Sequence, residues 1–394
     1  MIRAIFVALF AFAAIPIAPA ADALNVPVGY LGRSERTEAI SLVEQPAADD
    51  GIAGAQLAIQ DNNTTGKFLN QSFAVEAIRL KAQDDPVAAA LQLAGRGISL
   101  FIADLPADTL LKLADAGREH GLIFFNAGAS DDRLRQEDCR ANVIHIAPSR
   151  FMLADALAQY LVWKRWRRWL LVVGSHDPDN FYAAAMRRAA GRFGAKIIQE
   201  RVFEDTGGAR RSDSALVQIQ SQIPLFTQSA PDYDVLIAAD ESQVFAPYLP
   251  YRTSEPRPVA GSAGLIPTSW DASHDQWGAI QLQNRFRRSF SRRMTALDMQ
   301  AWTAARMIGE AVEHVQSADV QRILDFIKGP DFALAAFKGR KLTVRDWDLQ
   351  LRQPILLTDG RVVVSVSPQE GFLHQYSELD TLGIDRPETK CRLK

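Results

Sequence analysis

The chain has 394 residues, 47% hydrophobic and 23% charged, a composition that excludes a disordered polypeptide and allows more than one hydrophobic core. Its formal charge of -2, from 44 basic and 46 acidic residues, gives no electrostatic ground for nucleic acid or an anionic membrane surface as partner.

Residues 1–23 read as a secretory signal peptide. Arg3 supplies the positive start, IFVALFAFAAIPI the apolar stretch, and Ala18-Pro19-Ala20 or Ala21-Asp22-Ala23 a small-residue cleavage pattern. Pro16 and Pro19 interrupt the apolar run, which argues against a membrane anchor. An exported chain sits where disulfides persist, so the only two cysteines, Cys139 and Cys391, either pair and tie the C-terminus to the middle of the chain or remain two free thiols.

After the signal, Asn25 to Leu31 predicts a buried strand, and Ala55, Leu57, Ala58 and Ile59 form a helix face that Asn62-Asn63 should end, with Thr64-Thr65-Gly66 as a turn. Phe73 to Leu80 predicts a second strand, and Asp85-Pro86 sets a cap and first helical position. Leu100 to Ala103 follows as strand, Pro106 to Ala116 as helix, Leu122 to Asn126 and Val143 to Ala147 as strands. Short apolar runs alternating with amphipathic helices indicate a parallel sheet with helices on both faces.

A second unit repeats the alternation. Ser149 caps a helix to Leu161; Trp169 opens the strand WLLVVG; Asn180 to Phe193 is helix and Lys196 to Phe203 strand. Ser214 to Ile223 is helix, Asp234 to Ala239 strand, Glu241 to Tyr248 helix and Pro258 to Gly261 strand. The chain then enters a polar, turn-rich stretch, Gly261 to Gln281, that carries Trp270 and Trp277 among Asp271, His274 and Asp275. Rings on such a stretch suit either a stacking platform or hinge packing. Asp298 to Val315 and Val320 to Ile327 predict helices that return to the first unit. Leu342 to Leu351, Pro354 to Leu357 and Val362 to Val366 read as strands, with a hairpin turn at Asp359-Gly360.

The expected class is α/β, two Rossmann-like lobes with parallel central sheets joined by several hinge crossings. The expected division is 24–147 plus about 264–346 for the N-terminal lobe, and 148–263 plus about 347–394 for the C-terminal lobe.

This order resembles the type I periplasmic substrate-binding proteins of the branched-chain amino acid kind. GAQLAIQDNN, DPVAAALQLAGRGISLFIADL, LIFFNAGASDDRLR, IHIAPSR and LLVVGSHDPDNFYAAAMRRAAGRFGAKII each fall where that family places matching segments. A narrower set, DNNTTGKFLNQ, RPVAGSAGLIPTSW, QWGAIQLQNRFRRSF, QLRQPILL and DTLG, is similar to the branch associated with pyrroloquinoline quinone (PQQ)-dependent alcohol dehydrogenase systems. The resemblance implies a monomeric periplasmic receptor that binds PQQ between its lobes and delivers it to an inner-membrane ABC permease. Another small carboxylate, an amino acid, or a role as periplasmic sensor of alcohol-oxidation metabolites is the alternative.

In a two-lobe binding protein the ligand lies at the carboxyl ends of the parallel strands. That rule nominates Arg33, Asp104, Asn126 and Ser130 from the first lobe, and His176, Asn180, Tyr182 and Glu241 from the second. Arg33, Arg133 and Arg211 are nominated because guanidinium forks match the carboxylates of PQQ, and Trp270 and Trp277 because ring faces match its plane. Ala103-Asp104-Leu105-Pro106 lacks the serine pair that amino-acid-binding relatives use on a ligand carboxylate, which argues against an α-amino acid. GxSxG, HExxH and P-loop patterns are missing and the six histidines are scattered, so neither an enzyme, nor a catalytic cofactor, nor a metal site is expected.

Overall fold

The first strand, β1 (Leu24–Arg33), buries Val26, Val28, Tyr30 and Leu31, so both of its faces are covered. It runs parallel to β2 (Gln71–Leu80) and β3 (Leu100–Asp104), and β4 (Ile123–Asn126) and β5 (Val143–His145) extend the sheet in the order β2-β1-β3-β4-β5. A second parallel sheet has the order β7-β6-β8-β9, from β6 (Arg168–Gly174), β7 (Lys196–Phe203), β8 (Val235–Ala239) and β9 (Val259–Gly261). This computed structural model describes residues 23–33, 45–205 and 213–393; the expected signal peptide, all but its last residue, and Arg211 lie outside them.

Helices cover both faces of each sheet. In the first lobe α1 (Ile52–Leu69) supplies one core, while α2 (Pro86–Ala94) and α3 (Ala107–Arg118) supply the core on the other face. In the second lobe α4 (Arg150–Trp163) and α5 (Asp177–Phe193) pack on one face. The opposite face is closed by α6 (Asp213–Thr227) and α7 (Leu249–Arg252), through Ile223 and Leu249, together with Phe203, Tyr233 and Phe245. The chain order reverses between β1 and β3 in one sheet and between β6 and β8 in the other, which opens a crevice at each set of carboxyl ends.

After β9 the chain adds β10 (Ile266–Thr268) and returns to the first lobe. There Trp270, α8 (Ala279–Phe290), α9 (Ala296–Val315), α10 (Val320–Lys328), β11 (Leu334–Ala335), β12 (Lys341–Val344) and β13 (Leu351–Arg352) all place buried side chains in the core that α1 occupies. Gly54 and Gly309 let α1 and α9 touch. A Cβ on Gly54 would stand 1.9 Å from the Asp298 carbonyl oxygen, and one on Gly309 would stand 2.3 Å from Asn62 Oδ1. The chain then leaves again through Gln353, and β14 (Ile355–Thr358) and β15 (Val363–Ser367) form an antiparallel sheet with β10 against α4. Its hairpin turns at Asp359-Gly360, where Gly360 has φ 83°.

Three expected elements differ. α1 runs through Thr64-Thr65-Gly66 to Leu69, because Asn62 and Asn63 do not cap it. Their side chains bond outward instead, Asn62 Nδ2 to the Ala305 carbonyl at 2.9 Å and Asn63 Nδ2 to the Phe73 carbonyl at 2.9 Å. The expected helix from Glu241 to Tyr248 is a turn followed by a short 3₁₀ segment, since the Asp240 carboxylate accepts the amides of Val244, Phe245 and Ala246 at 2.7–2.9 Å. The expected strand from Leu342 to Leu351 is broken into β12 and β13 by a turn in which Leu349 has φ 55°.

Candidate functional site

The loop after β4 and the first turn of α4 meet where the chain first crosses between lobes. Asn126, fully buried, donates to the Ala129 carbonyl at 2.8 Å and accepts the Ala129 and Gly128 amides, so its side chain shapes the loop from within. Its Nδ2 also lies 3.1 Å from His145 Nδ1; burial, with Arg135 adding to it, holds that imidazole well below its usual pKa and hence neutral. Arg135, also buried, donates to the carbonyls of Ala129 at 2.9 Å, Asp131 at 3.0 Å and Ala147 at 2.6 Å, and to Gln350 Oε1 at 2.8 Å. One guanidinium thus holds the site loop, the first crossing and the returning strand together. Burial lowers its pKa to about 10, which leaves it charged at neutral pH.

Loop 130–132 in turn caps α4. The Ser130 carbonyl accepts the Arg150 amide at 3.0 Å, and Asp132 Oδ1 accepts the Phe151 amide at 2.9 Å. Burial raises the Asp132 pKa to about 6 against the lowering effect of that bond. Arg150, the first helical residue, reaches across the crevice. Its Nε lies 3.0 Å from both Glu241 oxygens, Nη2 donates to Oε2 at 2.8 Å, and Nη1 stands 3.4 Å from Asp131 Oδ2. One carboxylate belongs to each lobe, so Arg150 bridges the cleft at its hinge side. Burial raises the Glu241 pKa while Arg150 opposes the rise.

Around this cluster stand residues of the second crevice. The Phe181 ring, 55% exposed, lies 5.7 Å from the Arg150 guanidinium. Tyr182 is buried and its hydroxyl has no hydrogen-bond partner among the described residues. It belongs to the core under α4 and α5, where burial raises its pKa and the Glu241 charge adds to the rise. His176 starts α5 with Nε2 2.8 Å from Asp205 Oδ2, and Asn180 turns back to donate to the His176 carbonyl at 3.1 Å. Asp179 joins the loops after β6 and β8 by accepting the His176 and Ser242 amides at 3.2 and 2.9 Å.

Five further nominated residues belong to the first lobe. Asp104 ends β3, buried beneath Gly128. Arg133 is paired with Asp138 at 2.8 Å and with Asp108, both of its own lobe. Arg33 lines a cavity of about 500 Å³ with Lys81, Leu105, Pro106 and Lys112 at the ends of β1, β2 and β3. Among the described residues none of the second lobe lines that cavity, so its size does not make it the cleft. Trp270 is 2% exposed in the first-lobe core, edge-on to His274 at 5.2 Å. Trp277 packs against Gly339 and His274 beside the start of α8. Cys139 and Cys391 are disulfide-bonded, with Cα atoms 5.6 Å apart.

Sequence reasoning missed Arg150 and Asp131. A signal was present: an arginine directly after the Ser149 cap places a cation at the positive end of a helix dipole, a position that calls for carboxylates in front of it.

A family model described as periplasmic binding protein matches residues 43–247, just over half of the chain. The chain belongs to the periplasmic binding protein family. This is a family of binding proteins and not normally of enzymes, and its name places its members in the periplasm. No curated protein matches the chain significantly. Among solved structures, the binding protein is similar to a periplasmic binding protein from Burkholderia mallei, with TM-score 0.68 at 17% identity over 94% of this chain and 99% of that one. A leucine-, isoleucine-, valine-, threonine- and alanine-binding protein from Brucella ovis in a closed conformation aligns with TM-score 0.67 at 13% identity, over 94% and 99%. An ABC transporter solute binding protein from R. palustris in complex with benzoate aligns with TM-score 0.64 at 14% identity, over 93% and 99%. At such identities the likeness concerns the two-lobed fold alone. Among the described residues no helix is long and apolar enough to cross a membrane.

Proposed function

We propose that the protein is the solute-binding component of an ABC importer, holding a small organic solute between its lobes and presenting the closed form to a membrane permease. The observation that carries this reading is the pair of facing crevices, linked by Arg150 between Asp131 of one lobe and Glu241 of the other. A solute that touches both crevices only when the lobes are shut stabilises the shut state by its differential affinity, and no bond chemistry is required. On this reading the lobes are 24–147 plus about 264–346 and 148–263 plus about 347–394, and the place of Leu349 and Leu351 in the first-lobe core supports carrying the first lobe on to about 352.

PQQ is the finer expectation of the narrow resemblance. Of the two tryptophans nominated to stack on it, Trp270 is sealed in the first-lobe core and Trp277, half exposed, packs against Gly339 and His274, while Arg133 is paired with Asp108 and Asp138. Among the described residues a trianion would also meet Asp131 and Glu241 with only Arg150 between them. The broader alternative, another small solute, is therefore the better supported reading, and the solved relatives named for amino acids and for benzoate span the size expected.

A thermal-shift screen of organic solutes that includes PQQ, leucine and benzoate, followed by small-angle scattering with each hit, tests the proposal. A hit should contract the radius of gyration and protect loops 127–132 and 240–242 from hydrogen exchange. Protection confined to the Arg33 cavity, with unchanged dimensions, would overturn it.

A further inference from the structure

Resting on the solute-receptor reading, we infer that Arg150 is a specificity-determining residue that excludes solutes carrying an ammonium group. Between the lobes, Glu241 and Asp131 form the acidic pair that a ligand cation would seek. Arg150 occupies it, with bidentate contacts of 2.8–3.0 Å on Glu241 and a 3.4 Å approach to Asp131. Its side chain is 11% exposed, and the two carboxylates are 28% and 26% exposed. The cation is thus built into the chain and shielded from salt, and a second cation brought to the same carboxylates meets it at contact distance.

Placement of the arginine supports this role over simple helix capping. Position 150 faces the positive end of α4, where a cation weakens the helix, and the Ser149 hydroxyl already caps the helix by accepting the Met152 amide at 3.3 Å. The side chain is held there by the facing carboxylates. The group left for a solute is of another kind: the Phe181 ring, 55% exposed, beside the guanidinium. An exposed ring beside a cation already paired suits a solute with an aromatic or aliphatic portion and without an amine.

Calorimetric titration of the full mature protein with L-leucine and with benzoate, on wild type and on Arg150→Met, Arg150→Ala and Arg150→Lys, provides the test. Met keeps the stem of the side chain, so one neutral variant remains informative if the Ala variant melts early by circular dichroism. The neutral variants should bind leucine at least tenfold more tightly than wild type. Arg150→Lys, which restores a cation, should return to the wild-type profile, an outcome a purely structural role does not produce. Replacing Glu241 by Gln in the Arg150→Met background should remove the gained leucine affinity. Micromolar leucine binding by wild type, or folded neutral variants that gain none, would overturn the inference. If wild type still closes on a screened solute in either case, the receptor reading stands and only the role of Arg150 falls; if no solute closes the lobes and no variant gains leucine, both fall.

Discussion

Lys338 lies 2% exposed between β11 and β12, with its ammonium donating at 2.6 Å to Oε1 of Gln353, where the chain leaves the first lobe. His274 faces it electrostatically through the Phe337 turn, and no carboxylate contributes to its pKa, which burial alone lowers to about 7. The unfolded chain therefore holds a proton on this side chain that the native protein sheds between about pH 7 and the ordinary lysine range. Stability should rise with pH across that window, by up to about 1.4 kcal/mol per pH unit from this group. Replacing Lys338 by Met should flatten the slope in urea titrations at pH 7, 8.5 and 10. The two tryptophans part company at the same scale: Trp270→Leu should cost about 2–4 kcal/mol in chemical denaturation, as a cavity in a packed core does, and Trp277→Leu less than about 1 kcal/mol. Neither should alter solute affinity. Their difference was invisible in sequence, because both rings stand among turn residues, and only the chain folding back over Trp270 buries it.

At the scale of elements, the N-terminus of α9 shows how caps are shared between distant segments. Thr295 and Asp298 form a capping box, and Asp298 also accepts the Gly51 amide at 2.8 Å and two bonds from Arg292 at 2.5 and 2.9 Å. Asp298→Ala removes the acceptor of the Gly51 and Thr295 amides and one of the two carboxylates on Arg292, which keeps Asp49 at 2.8 Å, and should cost about 2–3 kcal/mol by urea denaturation. Local signals of this kind were legible where the partner lies within a few residues. Asp85-Pro86 starts α2, Ser149 caps α4 and Asp359-Gly360 turns the last hairpin, all as expected from sequence. The same residue types misled where their partners are remote. Asn62 and Asn63 mimic a helix stop but serve α9 and β2, and Asp240 draws three amides into a turn where a helix was expected.

For the whole molecule, the C-terminal tail is a strap across the hinge. Asp155 accepts the Gly383 amide at 2.8 Å, Arg345 and Arg352 reach Asp380 at 2.9 and 2.8 Å, and the strap ends in the disulfide from Cys391 to Cys139 of the first lobe. Two bodies are thereby joined covalently far from the ends of their sheets in sequence. Replacing both cysteines by serine should cost about 2–5 kcal/mol, read as a lower melting temperature under non-reducing conditions. The alternation of short apolar runs and amphipathic helices determined by itself that there are two parallel α/β units, because burial on both faces of a sheet leaves a one-dimensional signature. It also determined which strand ends carry candidate residues. Which of them meet was decided only by tertiary structure: Arg150, Asp131 and Glu241 lie up to 110 positions apart in the chain. Charge pairing across a cleft depends on where the hinge sets the lobes, and no local periodicity records that distance.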